Sequence, residues 1–167
     1  QAHGGLNQQA IAAIENAMLD IKAKSLSLPV YELLGGAIRT ELPLYWSHCG
    51  TYRMSEENSR EMGRRHFTKL DDLVELGAEV RERGFKALKT NIFLFDENPN
   101  RHFPGFARGP GWPELNADKR LVDALRAQLT AFRDGGGTDM GILLDLNFNF
   151  KTEGYLQICR GLDDLGL

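Results

Sequence analysis

Three short apolar runs, residues 42–47 (Leu-Pro-Leu-Tyr-Trp-Ser), 85–92 and 141–147 (Gly-Ile-Leu-Leu-Asp-Leu-Asn), alternate with segments of helical spacing. Few folds satisfy that alternation. Strand-length runs joined through helices require crossover connections, and right-handed crossovers build a parallel α/β sheet. The first intervening helix is written by Leu70, Leu73, Val74, Gly77 and Val80, with Gly84 as its stop. The second is written by Leu121, Val122, Leu125, Leu129 and Phe132, with Gly135-Gly136-Gly137 expected to stop it. Residues 154–165 follow the third strand as its helix. That strand is apolar at successive positions, as expected of a parallel strand buried on both faces. Three strands alone would leave two open edges, so the unit reads as unfinished. Gln1 is not an initiator methionine, which adds to the expectation of a piece of a longer gene product.

Two helices are expected ahead of the first strand. Ile11, Ile14, Met18 and Ile21 form an apolar stripe, with Asn7 as the expected N-cap. Pro29 opens a shorter helix that Gly35-Gly36 ends. Between the second strand and its helix lies a long connection, residues 93–115, rich in Pro, Gly and aromatics. Loops of that length without secondary structure are usually functional or mobile.

Composition excludes several function classes. With 167 residues, 42% hydrophobic and 26% charged, the chain is globular in character. Twenty basic against 23 acidic residues give a net charge of −3, which provides no footprint for nucleic acid or anionic membrane. No apolar run approaches the ~20 residues of a transmembrane helix. The first residues lack the basic and apolar regions of a signal peptide. Cys49 and Cys159 cannot build a disulfide framework or a four-ligand zinc site. The expected setting is cytoplasmic.

In parallel α/β folds, functional groups collect at the carboxyl ends of strands. The second strand ends in Lys89-Thr-Asn91 and the third in Asp145-Leu-Asn147. Residues two apart share a strand face, so Lys89 with Asn91, and Asp145 with Asn147, project in pairs toward one cavity. An ammonium, a carboxylate and two amides suit a metal ion and an oxygen-rich anion. The competing reading makes Asp145 or Asn147 an N-cap of the next helix and Lys89 a solvated strand end. His48, with Tyr52 and Arg53, lies just past the first strand, where it could touch substrate. His102 lies in the long connection as a candidate lid residue, and Trp112 is expected to pack within that connection.

The runs Ala17-Met-Leu-Asp-Ile-Lys-Ala-Lys24 and Leu28-Pro-Val-Tyr-Glu-Leu-Leu-Gly-Gly36 resemble the stretch joining capping domain to barrel in the mandelate racemase/muconate lactonizing group of the enolase superfamily. Leu42–Ser47 is similar to that group's first barrel strand, Gly84-Phe-Lys-Ala-Leu-Lys89-Thr-Asn91 to the second, and Leu143-Leu-Asp145-Leu-Asn147 to the third. The resemblance implies the first strands of a modified TIM-type (β/α)7β barrel, preceded by the C-terminal helices of an α+β capping domain. The domain division implied is residues 1–41 and 42–167, within a polypeptide of roughly 350–420 residues.

It also implies chemistry. Members bind Mg²⁺ through three carboxylates and remove the proton α to a substrate carboxylate, giving an ene-diolate. By position, Asp145 is the first metal ligand and Lys89 neutralises the substrate carboxylate. Asn147 contacts the carboxylate or supports the metal shell. Asn91 stands where many members place a second lysine, the base on one substrate face. An amide cannot accept a proton at neutral pH, which favours an acid-sugar dehydratase over a two-base racemase. Galactonate dehydratases also resemble Lys-x-Asn on this strand, although they carry histidine where this chain has Asn147. The partner implied is a small-molecule sugar acid or other carboxylate, in a homo-oligomer. The alternatives are a racemase or epimerase of the group, a non-catalytic barrel relative, and a self-contained doubly wound binding domain. The 167-residue piece alone is expected to be inactive, because one carboxylate does not hold Mg²⁺.

Overall fold

The structure is a computed structural model that describes residues 4–106 and 116–167. Trp112, expected to pack within the long connection, lies outside the described residues. The chain divides into two units, Gln1–Leu42 and Pro43–Leu167.

The first unit is a helical pair, α1 (Gly5–Ser25) and α2 (Val30–Leu33). Asn7 lies inside α1 rather than capping it, and no side chain caps that helix. Pro29 is the N-cap of α2, and Gly35 and Gly36 both take positive φ just past its end, where a side chain would be strained. Ala23 is the buried residue of α1, while Ile11, Ile14, Met18 and Ile21 of the expected apolar stripe are exposed. The spacing was right for a helix; two helices offer too little surface to cover the stripe.

The second unit is built on three parallel strands, β1 (Tyr45–Trp46), β2 (Ala87–Thr90) and a strand at Gly141–Leu144. A small antiparallel hairpin, β3 (Phe93–Leu94) with β4 (Asn100–Arg101), comes between β2 and that last strand, which is therefore β5. The order is β1-β2-β5, with Leu88 opposite both Trp46 and Ile142. The strands are shorter than their apolar runs, because only part of each run pairs. The hairpin and a 3-10 turn at Pro104–Phe106 give the expected structureless connection local order over 93–106.

Helix α3 (Glu56–Glu61), which the apolar spacing did not reveal, is capped by the Ser55 hydroxyl accepting from the Asn58 amide at 3.4 Å. Helices α4 (Asp71–Glu82) and α5 (Lys119–Gly136) pack on one side of the sheet. Asp118 caps α5, accepting from the Leu121 amide at 2.8 Å. Leu73, Val80, Leu88, Leu125 and Phe132 are fully buried at the centre of this layer. The two helices meet backbone to backbone: a Cβ on Gly135 would lie 1.8 Å from the Val74 carbonyl oxygen, and one on Gly77 would lie 2.5 Å from that of Phe132. Two of the three consecutive glycines are therefore contact residues inside α5, and only Gly137, at φ 93, is its stop.

Helix α6 (Thr152–Leu162) follows β5. The end of the chain is tied back to α5 by the Arg126 fork on Asp164, at 2.6 and 2.7 Å. Only one face of β5 is buried: Ile142 is covered and Leu143 is exposed, which corrects the expectation of burial on both faces.

Candidate functional site

Side chains on β2 alternate sharply. Leu88 and Thr90 point into the helical layer and are fully buried, whereas Lys89 projects from the opposite face. Because β2 and β5 are paired in register, with Thr90 opposite Leu144, the residues just beyond them are neighbours too. The Asp145 amide donates to the Thr90 carbonyl at 2.8 Å. The result is an ion pair across adjacent strand ends, Lys89 Nζ to Asp145 Oδ2 at 2.6 Å, with each side chain a little over a quarter exposed.

The electrostatics follow from that contact. The Lys89 hydrogen bond is the main cause holding the Asp145 carboxyl below its ordinary range. The Asn147 amide and the positive charges of Lys89 and His48 act in the same direction, against partial burial. Reciprocally, the bond to Asp145 raises Lys89, so both groups stay charged. The second oxygen of Asp145 accepts from the Asn147 backbone N–H at 2.9 Å. This is a local turn rather than a helix cap; α6 begins after Lys151 with no side-chain cap, so neither Asp145 nor Asn147 caps it.

The other expected residues divide. Asn147 is exposed beside the pair, at φ 50, and its carbonyl accepts from the Tyr155 hydroxyl at 2.5 Å. His48 is exposed at the end of β1, also left-handed at φ 51, with Nδ1 3.1 Å from Ser47 Oγ. Strained backbone at non-glycine residues gathers at functional sites, and two of the three such residues described here flank this ion pair. His48 and Tyr52 also line a hollow of about 140 Å³ with Trp46, Arg53, Arg64 and Glu79, which does not reach Lys89 or Asp145. His102 is half-buried against Phe150, so the structure gives it packing rather than an open lid position.

Asn91 requires a correction. Strand parity pairs it with Lys89, but it is only 4% exposed, and both ends of its amide are engaged within the protein. Its Oδ1 accepts from the Thr51 hydroxyl at 2.7 Å, and its Nδ2 donates to the Asp145 carbonyl at 3.3 Å. Asn91 is therefore buried next to the pair, bonded to Thr51 and to the Asp145 backbone. Sequence reasoning missed Thr51 and Gln128, both buried. A signal existed for Gln128: it falls on the apolar stripe of α5 between Leu125 and Phe132, where an amide needs internal partners.

Among the described residues, no group of three or more His, Cys, Asp or Glu is placed to hold a metal ion. A divalent cation such as Mg²⁺ takes about six oxygen ligands. Asp145 offers one carboxylate, with one oxygen engaged by Lys89 and the other by the Asn147 amide. The donors of this chain do not by themselves fit the ion.

Comparison with known proteins gives the chain its family. The N-terminal domain model of mandelate racemase/muconate lactonizing enzymes matches residues 1–35. A D-galactonate dehydratase of Variovorax paradoxus is 50% identical over 164 residues, covering 97% of this chain and 34% of its own length. The chain belongs to the mandelate racemase/muconate lactonizing enzyme group of the enolase superfamily. A D-mannonate dehydratase of Sphingomonas, 33% identical over 86% of the chain, is another relative in this group. A Burkholderia xenovorans structure carrying the provisional name L-alanine-DL-glutamate epimerase superposes with a TM-score of 0.90 at 51% identity, over 99% of this chain and 42% of its own. A second Burkholderia structure of that name, at 50% identity and TM-score 0.86, holds magnesium and fumarate and is 40% covered by this chain. The chain spans about a quarter to a third of the length of the curated dehydratases that it matches over most of its own length. No helix among the described residues is long and apolar enough to cross a membrane.

Proposed function

We propose that this chain is the early part of an acid-sugar dehydratase, with residues 42–167 supplying the first three β/α units of a barrel and residues 1–41 the end of a capping domain. The reading is carried by one observation: a cation and a carboxylate, Lys89 and Asp145, are held 2.6 Å apart at the ends of adjacent parallel strands. Half-identity to a D-galactonate dehydratase supports the substrate class.

Removing a proton next to a carboxylate pushes an electron pair onto the carboxylate oxygens, and preorganised positive charge lowers that cost. Lys89, kept cationic by its partner, is the group of this chain that meets the developing charge. The α-proton goes to a base, and the proton that leaves with the β-hydroxyl as water comes from an acid, both supplied from outside these 167 residues; the resulting enol tautomerises to a 2-keto-3-deoxy acid. Asn147 and His48, exposed on the same rim, orient the substrate. Members of this superfamily use Mg²⁺. Asp145 is the donor this chain offers toward such an ion, and the further carboxylates have to come from outside these 167 residues.

An epimerase is the second reading, favoured by the name given to the Burkholderia structure. The amide at Asn91, in place of a second base, weighs against it.

The test uses the intact protein with D-galactonate and related sugar acids in the presence of Mg²⁺. Wild type is expected to form a 2-keto-3-deoxy acid, and Asp145→Asn to lower kcat/KM by ~100-fold or more. Undiminished turnover by Asp145→Asn refutes its assignment. Solvent deuterium entering recovered substrate without keto-acid product selects the epimerase.

A further inference from the structure

The carboxyl ends of the three parallel strands are laced by side chains that face no solvent. Thr51, Thr90, Asn91 and Gln128 are each at most 4% exposed. They come from four places: the turn after β1, the last residue of β2, the residue beyond it, and the apolar face of α5. The Asn91 amide spans the gap between the first and the last of the three strands, from Thr51 Oγ1 at 2.7 Å to the Asp145 carbonyl at 3.3 Å. Its orientation is forced. A carbonyl only accepts, so the Asn91 nitrogen must face Asp145, leaving Oδ1 to take the Thr51 hydroxyl proton.

The backbone of Asn91 is held just as firmly. Gln128 Nε2 donates to its carbonyl at 2.7 Å, and Gln128 Oε1 accepts from the Phe93 amide at 2.9 Å. The Thr90 hydroxyl donates to the Cys49 carbonyl at 3.1 Å, and the Cys49 amide donates to the Lys89 carbonyl at 2.8 Å. Every link is internal and two of them attach to the backbones of Lys89 and Asp145 themselves.

We infer that Asn91 is a positioning residue, which with Thr51 and Gln128 sets the separation of the strand ends and so holds Lys89 and Asp145 in register for the substrate carboxylate. This rests on the proposed function for its kinetic consequence but not for its structural one. A lysine could not reproduce this bond, since an ammonium has three donors and no acceptor for the Thr51 hydroxyl proton. The amide is thus what this turn after β1 requires, and the position is committed to geometry rather than to proton transfer.

The test compares Thr51→Val, Thr51→Ser, Asn91→Ala and the Thr51→Val/Asn91→Ala double variant in the intact protein. Amide hydrogen exchange and steady-state kinetics on D-galactonate are the two readouts. Thr51→Val and Asn91→Ala are expected to speed exchange at the Asp145 and Asn147 amides by about 10-fold, the scale of one lost hydrogen bond. Amides at Val80 and Leu125 are expected to keep their rates. Thr51→Ser, which retains the hydroxyl, is expected to restore both protection and kcat/KM, and the double variant to be no worse than Asn91→Ala alone. Unchanged exchange at Asp145 and Asn147 overturns the inference, as does uniform acceleration across the unit, which marks a general stability role. A raised KM in Asn91→Ala with a silent Thr51→Val overturns it in favour of direct substrate contact. If wild type turns over no sugar acid, the proposed function falls while the exchange pattern still decides the brace.

Discussion

Replacing Gly135 with alanine sets two physical rules against each other. Inside an open helix, glycine to alanine stabilises by about 1 kcal/mol, because alanine loses less backbone freedom on folding. At Gly135 the new methyl would sit 1.8 Å from the Val74 carbonyl oxygen and 2.9 Å from the Ala78 nitrogen. Ordinary contact begins near 3.4 Å, so α4 and α5 would have to separate locally by about 1.6 Å, the difference between those two distances. Both neighbours are backbone atoms in a helix and cannot swing aside. Overpacking of well-filled cores costs about 1–3 kcal/mol, occasionally more, and a backbone clash stands at the top of that range. Net destabilisation of about 2–3 kcal/mol is therefore expected, opposite in sign to the propensity rule. The same separation would draw Gln128 off the Asn91 carbonyl, now at 2.7 Å, so the strand ends should loosen with it. Urea unfolding of the intact protein followed by circular dichroism measures the first effect, with Gly84→Ala as the control. That glycine meets no atom within 4 Å but holds φ at +83, so its cost is backbone strain alone, about 1 kcal/mol. A Gly135→Ala variant as stable as wild type would refute the reasoning.

Two further outcomes follow from titratable groups. Burial is the main cause pushing the Cys49 thiol up to about 12, with the Glu79 charge adding and Arg53 opposing. The fold favours the neutral thiol, so that stability is complete below about pH 9 and is lost as pH rises toward 12. In native protein at pH 8, iodoacetamide should modify the exposed Cys159 and spare Cys49, and equal rates would contradict the buried placement. Burial likewise lowers His102, with Arg120 assisting and Asp118 opposing. Its contribution is complete above about pH 6.5 and declines as pH falls through the folded value. His102→Asn should flatten the loss of thermal stability below pH 6.5, and an unaltered profile would show that another group carries it.

Asn91 shows the limit of reading a site from strand parity. Parity puts it on the same side as Lys89, but parity cannot tell an exposed position from a buried one bonded to the turn after β1. Thr51 lies 40 residues away in sequence, and only folding brings its hydroxyl to the amide. Lys89 and Asp145 were legible because they are the polar ends of apolar runs, and in-register parallel pairing places such ends side by side. The 93–106 segment misled for a local reason. Pairing of Phe93 with Arg101 and Leu94 with Asn100 carries too little alternation to announce a hairpin.

Periodicity alone determined the order of the three parallel strands and of the longer helices between them, because residue spacing decides which face of each element is apolar. It also placed a lysine and an aspartate at two strand ends. What only tertiary structure decided was distance. Whether three consecutive glycines end a helix or let two backbones touch depends on what lies opposite them, and so does whether an asparagine meets substrate or braces the turn beside it. Those neighbours are set by packing between segments far apart in the chain, about which local spacing carries no information.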